Sequence, residues 1–291
     1  MHSFLKSIGF SELRGKKELD QILNEVIHSY DEKTVVESHP ECLFAEISKN
    51  YGCDFGITVC GEYDENNEFQ MEYYFPFFRG TGITTQDRIM IERHAGPESY
   101  AGACDDVRIG VTIIFYLQNN GEYLNEYSKR ALNEEIIPVT LSGLARTGKI
   151  LFPVQKNKEQ VQIEQEAARN RNELILEARK GDEDAIENLT MDDIDMYTMI
   201  SQRIQTEDVF SIVDTYFMPY GIECDQYSVL GEILECHSFR NTYTNEELYR
   251  ITLNCNDLQF DVCINKKDLL GEPAVGRRFK GSIWLQGQIL L

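Results

Sequence analysis

Phe55-Gly56-Ile57-Thr58-Val59-Cys60-Gly61-Glu62-Tyr63-Asp64-Glu65-Asn66-Asn67-Glu68-Phe69-Gln70-Met71-Glu72-Tyr73-Tyr74-Phe75-Pro76-Phe77 is the stretch on which the fold turns. Phe55 to Tyr63 and Phe69 to Phe77 are rich in aromatic and β-branched residues, which suit a pleated, half-buried surface. Asp64 to Asn67 between them is turn chemistry, so the two runs predict an antiparallel hairpin. Upstream, Leu43 to Ile47 has the same texture, whereas Lys16 to Ser29 repeats Leu19, Ile22, Leu23, Val26 and Ile27 along one helical face. Ser11 is a candidate N-cap for that helix or for a short turn before it.

Downstream, a glycine-containing loop from Arg79 to Asp87 leads to expected strands at Ile89 to Arg93 and Val107 to Leu117. A helix is expected over Glu122 to Asn133. Val139 to Leu144 and Lys149 to Val154 flank Thr147-Gly148 and read as a second hairpin. Strands joined by turns, with few helices between them, predict an α+β domain over residues 1–154, an antiparallel sheet carrying its helices on one face.

Residues 155–205 change to a helical texture, with Val161, Ala167, Ala168, Leu174, Ile175 and Ala178 on one stripe. Gly181-Asp182 reads as a stop followed by a new N-cap, and Thr190 with Asp193 as a capping box for a helix through Ile204. This segment is a helical connector. Residues 206–291 return to strands, at Tyr227 to Cys236, Leu248 to Asn254, Leu258 to Ile264 and Phe279 to Leu290, with a helical turn at Lys266 to Gly271. Short strands with one turn before the last predict a small β-barrel domain, oligonucleotide-binding-like in type.

Composition narrows the function. The chain has 291 residues with 28 Lys and Arg against 49 Asp and Glu, a net charge of −21. The excess is spread over all three segments, so no basic arm or acidic tail stands out. Such a surface repels phosphate backbones and disfavours nucleic acid as principal ligand. No run approaches the ~20 apolar residues that span a bilayer, and the start lacks signal-peptide character, so a soluble cytoplasmic protein is expected. Eight cysteines contain no Cys-x-x-Cys pair, which leaves zinc without its usual anchor. Free thiols buried in a reducing compartment are the expectation, and no cofactor is called for.

Possible chemistry concentrates in two places. Arg79, with Gly80 and Gly82, could face an anion, while Asp87, Glu92, His94, Asp105 and Asp106 could bind metal or move protons. The plainer reading is that Glu92 and His94 share a strand face by alternation and that Asp105-Asp106 forms a turn. Near the end, Arg277, Arg278 and Lys280 stand beside Trp284, the single tryptophan, where stacking and phosphate neutralisation could grip a nucleotide. A solvated barrel edge with Trp284 in the core is the plainer reading. Gly143 to Lys149 has the glycine and lysine spacing of a phosphate loop, but Ile150 replaces its hydroxyl residue and a strand follows.

Met1 to Phe10, Met71 to Phe78, Tyr100 to Asn119 and Gly181 to Gly231, with Phe217-Met218-Pro219-Tyr220-Gly221, resemble an uncharacterised clostridial family, domain of unknown function 3881. The resemblance implies a bacterial cytoplasmic setting and transfers no activity, ligand or catalytic residue. No complete catalytic set is legible, so the reading leans away from an enzyme. The expectation is a noncatalytic intracellular binding or adaptor protein acting through protein surfaces on a basic or neutral protein partner. The alternative is an enzyme or small-molecule sensor with an anion or metal site near Arg79 to Asp106. Nothing in the sequence specifies an oligomeric state.

Overall fold

The computed structural model describes residues 1–39, 42–94, 98–106, 108–109, 111–129, 136–154, 158–203, 205–206, 208–221 and 224–291. It is a mixed α and β structure. A short 3-10 turn, Leu5–Ile8, precedes helix α1, Lys16–His28, whose buried Leu19, Ile22, Leu23 and Val26 form the expected stripe. Ser11 does not cap this helix: its hydroxyl donates to Glu246 Oε1 at 2.7 Å, and Gly15 occupies the N-cap position.

Strands β1, Glu32–His39, β2, Cys42–Asn50, β3, Phe55–Tyr63, and β4, Phe69–Phe78, make an antiparallel sheet in that order. The decisive hairpin is β3–β4. Its turn is set by Asp64, whose carboxylate accepts from the Asn66 and Glu68 amides, and by Asn67 at φ 63°. Asparagine tolerates that left-handed conformation better than most side chains.

The second sheet collects β5, Thr85–Arg93, β6, Tyr100–Asp105, and β7, Thr112–Leu117. Helix α2, Asn120–Lys129, follows, then the long β8, Ile136–Leu151. Helices α3, Lys158–Arg179, and α4, Glu183–Arg203, form a hairpin before the short α5, Val209–Ile212. Then come β9, Tyr216–Pro219, β10, Gln226–Arg240, β11, Glu247–Cys255, β12, Leu258–Asn265, β13, Leu269–Leu270, and β14, Arg278–Ile289. The expected turn before β13 is a 3-10 turn at Lys266–Asp268, capped by the Asn265 side chain.

Pairing of β8 with β14 is the axis of this sheet. One edge of β8 also meets β5 and, in parallel, β12; one edge of β14 meets β10 and, in parallel, β7. The pairings therefore close on themselves twice, through β10, β11, β12, β8 and β14, and through β5, β6, β7, β14 and β8. The segments drawn at 1–154 and 206–291 thus share one hydrogen-bonded sheet, and their side chains pack into one apolar core.

Several expected elements shift. The hairpin expected around Thr147-Gly148 is absent, because β8 runs straight through it. Gly148 is needed for close packing: a Cβ there would lie 2.4 Å from the Phe279 ring. The phosphate-loop spacing therefore lies inside a strand. The strand expected from Val107 begins at Thr112, because Asp106, Arg108 and Ile109 turn there, while Val107 and Gly110 lie outside the described residues. The helix expected to Asn133 is described to Lys129. Gly181, at φ 91°, closes α3, and Asp182 caps α4 by accepting from the Ala185 amide. Thr190 starts no helix: it lies within α4 and donates to the Ile186 carbonyl, and Ile204 is outside the described residues.

Candidate functional site

The residues singled out from sequence fall at separate places. Arg79 follows β4 and grips Glu32 of β1 with two hydrogen bonds of 2.7 and 2.5 Å. Asp87 accepts from the Arg88 amide and shares an open groove with Asp106 and Arg108. Burial works to raise the Asp106 carboxyl, but the Arg108 guanidinium, bound at 2.8 and 2.5 Å, holds it below the usual range. Arg108 also donates to the carbonyls of Thr84 and Asp257, so the pair is a tether between loops. Asp105 is exposed and accepts from Thr112 Oγ1.

His94 meets Ser99 Oγ at 2.7 Å through Nδ1, and its ring lies 6.1 Å from Tyr116. Tyr116 in turn lies 5.1 Å from Trp284, whose indole donates to Asp225 at 2.6 Å. Phe4 and His2 pack at a tilt on the same indole, which is buried, so Trp284 is a core aromatic. Arg278 is buried and donates to the carbonyls of Phe152, Phe210, Val213 and Asp214, tying the end of β8 to α5. Arg277 donates to the Glu272 carbonyl and lies over the Phe152 ring. Among the described residues, no group of three or more His, Cys, Asp or Glu side chains is placed to hold a metal ion.

Arg79 alone of these borders a distinctive interior feature. Between the four-stranded sheet and α2 lies a cavity of about 50 Å³ whose lining includes Glu32, Glu46, Arg79, Gln118, Asn119 and Glu122. Glu46 is central. It is buried on β2, and its Oε2 accepts from the Gly121 amide in the first turn of α2 at 2.7 Å. Burial pushes its carboxyl up to about 8, and the neighbouring Glu122 and Glu32 add to this. The Gly121 hydrogen bond and the Arg79 charge offset only part. The Gln118 amide bridges the Phe78 carbonyl and Gln286, and Gln286 donates to the Pro76 carbonyl, fastening β4 to β14. Room for only a few waters makes this a structural junction rather than a substrate site, which needs several hundred Å³.

Reasoning from sequence passed over Glu46. Its signal was there: a single carboxylate inside the run Phe44-Ala45-Glu46-Ile47, where only a partnered or neutral acid can be buried.

The feature best placed to meet another molecule is the α3–α4 hairpin. The two helices pack mainly on each other, and Ala185 is the one fully buried side chain among those described in them. Leu176, Ile186, Met191 and Ile194 keep 45–57% of their surface exposed. Isolated helices are held largely by burying an apolar face, and among the described residues these four side chains stay largely outside one. Six carboxylates against the single Arg203 make α4 strongly acidic.

A family model described as "Domain of unknown function, E. rectale Gene description (DUF3881)" matches residues 5–287. No curated protein and no solved structure matches the chain.

Proposed function

The chain belongs to the DUF3881 family of domains of unknown function, and from that premise we propose that it is a noncatalytic binding or adaptor protein acting through protein surfaces. The α3–α4 hairpin is its arm, and the apolar side chains exposed on that hairpin carry the reading. We read the ring of β10, β11, β12, β8 and β14 as a small barrel that serves as the scaffold, in a bacterial cytoplasm.

The partner's chemistry follows from the arm. Exposed Ile186, Met191 and Ile194 amid the carboxylates of α4 suit an apolar groove with a basic rim on another protein. Electrostatic attraction of this kind steers encounter and weakens as salt shortens its reach to about 8 Å at physiological ionic strength.

Affinity capture with the full chain, run beside an Ile186→Gln, Ile194→Gln variant, tests the reading. Both positions are exposed and glutamine is a good helix former, so the variant keeps its fold. The expected result is a protein with a basic apolar groove that the native chain retains at low salt, releases at high salt, and that the variant fails to retain. Equal recovery by the variant, or recovery of nothing specific by either chain, overturns the proposal.

A further inference from the structure

On the outer face of the β8–β14 pair, Lys149 stands directly opposite Lys280, and two residues along Thr147 stands opposite Ser282. Residues two apart on a strand share a face, so these four side chains form a grid of two ammonium and two hydroxyl groups. Spacings follow from sheet geometry, roughly 5 Å across the pair and roughly 7 Å along each strand. The two glycines between the pairs, Gly148 and Gly281, face the other way and lie against Phe279. Ser228 on β10 stands opposite Ser282 and adds a third hydroxyl to the row. Arg146, whose guanidinium sits over the Phe4 ring at 5.1 Å, flanks the grid.

What makes the grid unusual is that, among the described residues, no carboxylate answers its ammonium groups. Like charges directly opposed across a sheet are destabilising. In a chain with 49 acidic residues, neither lysine forms an ion pair among the described residues. Lys280 is instead held in place by the Phe210 ring, with Nζ 4.1 Å from its centre. An anion between the ammonium groups would turn the repulsion into attraction. A tetrahedral dianion has the acceptor oxygens to meet two cations and two hydroxyls from one side.

We propose that the outer face of β8–β14, through Lys149, Lys280, Thr147 and Ser282, binds the phosphate group of a compact ligand. The net charge of −21 repels a long polyanion, which selects a single phosphate or diphosphate over a nucleic acid backbone. Two sources share this chemistry, a free phosphorylated metabolite and a phosphorylated side chain of another protein.

Thermal shift of the full chain tests the site, with millimolar pyrophosphate or a phosphoserine peptide as probe and chloride added to constant ionic strength. At a hundredfold excess over Kd, the bound probe raises Tm by roughly 5 °C. Lys149→Met and Lys280→Met should each abolish that response while leaving the ligand-free Tm unchanged or slightly higher, because each relieves the lysine repulsion. Lys16→Met, at an exposed position on α1, should respond like the native chain. A response to pyrophosphate alone assigns a metabolite, and a response to the peptide alone assigns a phosphorylated chain. No response to either probe, or a response that survives both lysine variants, overturns the proposal.

Discussion

At the scale of single residues, two buried titratable groups give stability a pH dependence of opposite sign. Glu46 titrates near 8 when folded, against about 4.5 when exposed, because its carboxyl is cut off from water. Between those values the folded chain holds a proton that the unfolded chain has lost, so this contribution is complete below 4.5 and falls as pH rises to 8. His2 lies against Trp284 and titrates near 4 rather than 6.5, again through burial, reinforced by the N-terminal amine. The unfolded chain takes up that proton first, so stability rises from pH 4 to 6.5. Above 6.5 His2 is neutral in both states and the Glu46 slope stands alone. Native protein should therefore lose about 2 kcal/mol between pH 6.5 and 8, at ~1.4 kcal/mol per unit for one proton. Glu46→Gln keeps an oxygen for the Gly121 amide and has nothing to titrate. Urea titrations of both proteins across that window should show the native curve falling relative to the variant as pH rises; parallel curves would show that Glu46 is charged in the folded state.

Among elements, legibility tracked how local each cause is. The β3–β4 hairpin could be read because its turn is written in Asp64 and Asn67, four residues from end to end, and α1 because one stripe repeats along it. Strand β8 was misread for the opposite reason. Thr147-Gly148 has the chemistry of a turn, and the sequence near it gives no sign that Phe279, more than a hundred positions away, needs the space where a Cβ would stand. Thr190 was misread as a cap because hydroxyl residues bond either the amides that open a helix or the carbonyl four residues back, and only the fold decides between them. The separation of the candidate site residues was hidden too: Arg79 reaches across to Glu32 on β1, while His94 and Asp106 bond their sequence neighbours Ser99 and Arg108 in different surroundings. Gly148→Ala tests the packing account. It places a methyl within 2.4 Å of the Phe279 ring, and overpacking of this kind costs about 1–3 kcal/mol. Chemical denaturation should show a loss in that range, and an alanine variant as stable as the native protein would mean that β8 and β14 can move apart freely.

For the whole molecule, the order of segments along the chain and their order in the sheet diverge, and folding should follow the sheet. β8 precedes the α3–α4 hairpin, but its long partner β14 and its parallel neighbour β12 follow it. A chain cut at residue 154 would leave β8 paired only with β5 near its start, and Leu144 and Ala145 without their partners on β12 and β14, while residues 206–291 alone would lack the strand that links β12 to β14. Neither fragment should fold by itself, although the sequence texture changes between them. The hairpin is the opposite case. Helices α3 and α4 are 22 and 21 residues long, so at 1.5 Å per residue the chain leaves and returns to nearly the same level. Replacing 158–203 with a short Gly/Ser linker removes the exposed Leu176, Ile186, Met191 and Ile194 without breaking either ring of strands. The expected outcome is a single cooperative calorimetric transition whose Tm lies within a few degrees of the native value, with first proteolytic cuts of the native chain falling between 155 and 205. Two separate transitions in the native chain, or collapse of the hairpin-deleted protein, would show that the sheet shared by β8 and β14 does not hold the two halves as one unit, because a common core must melt together.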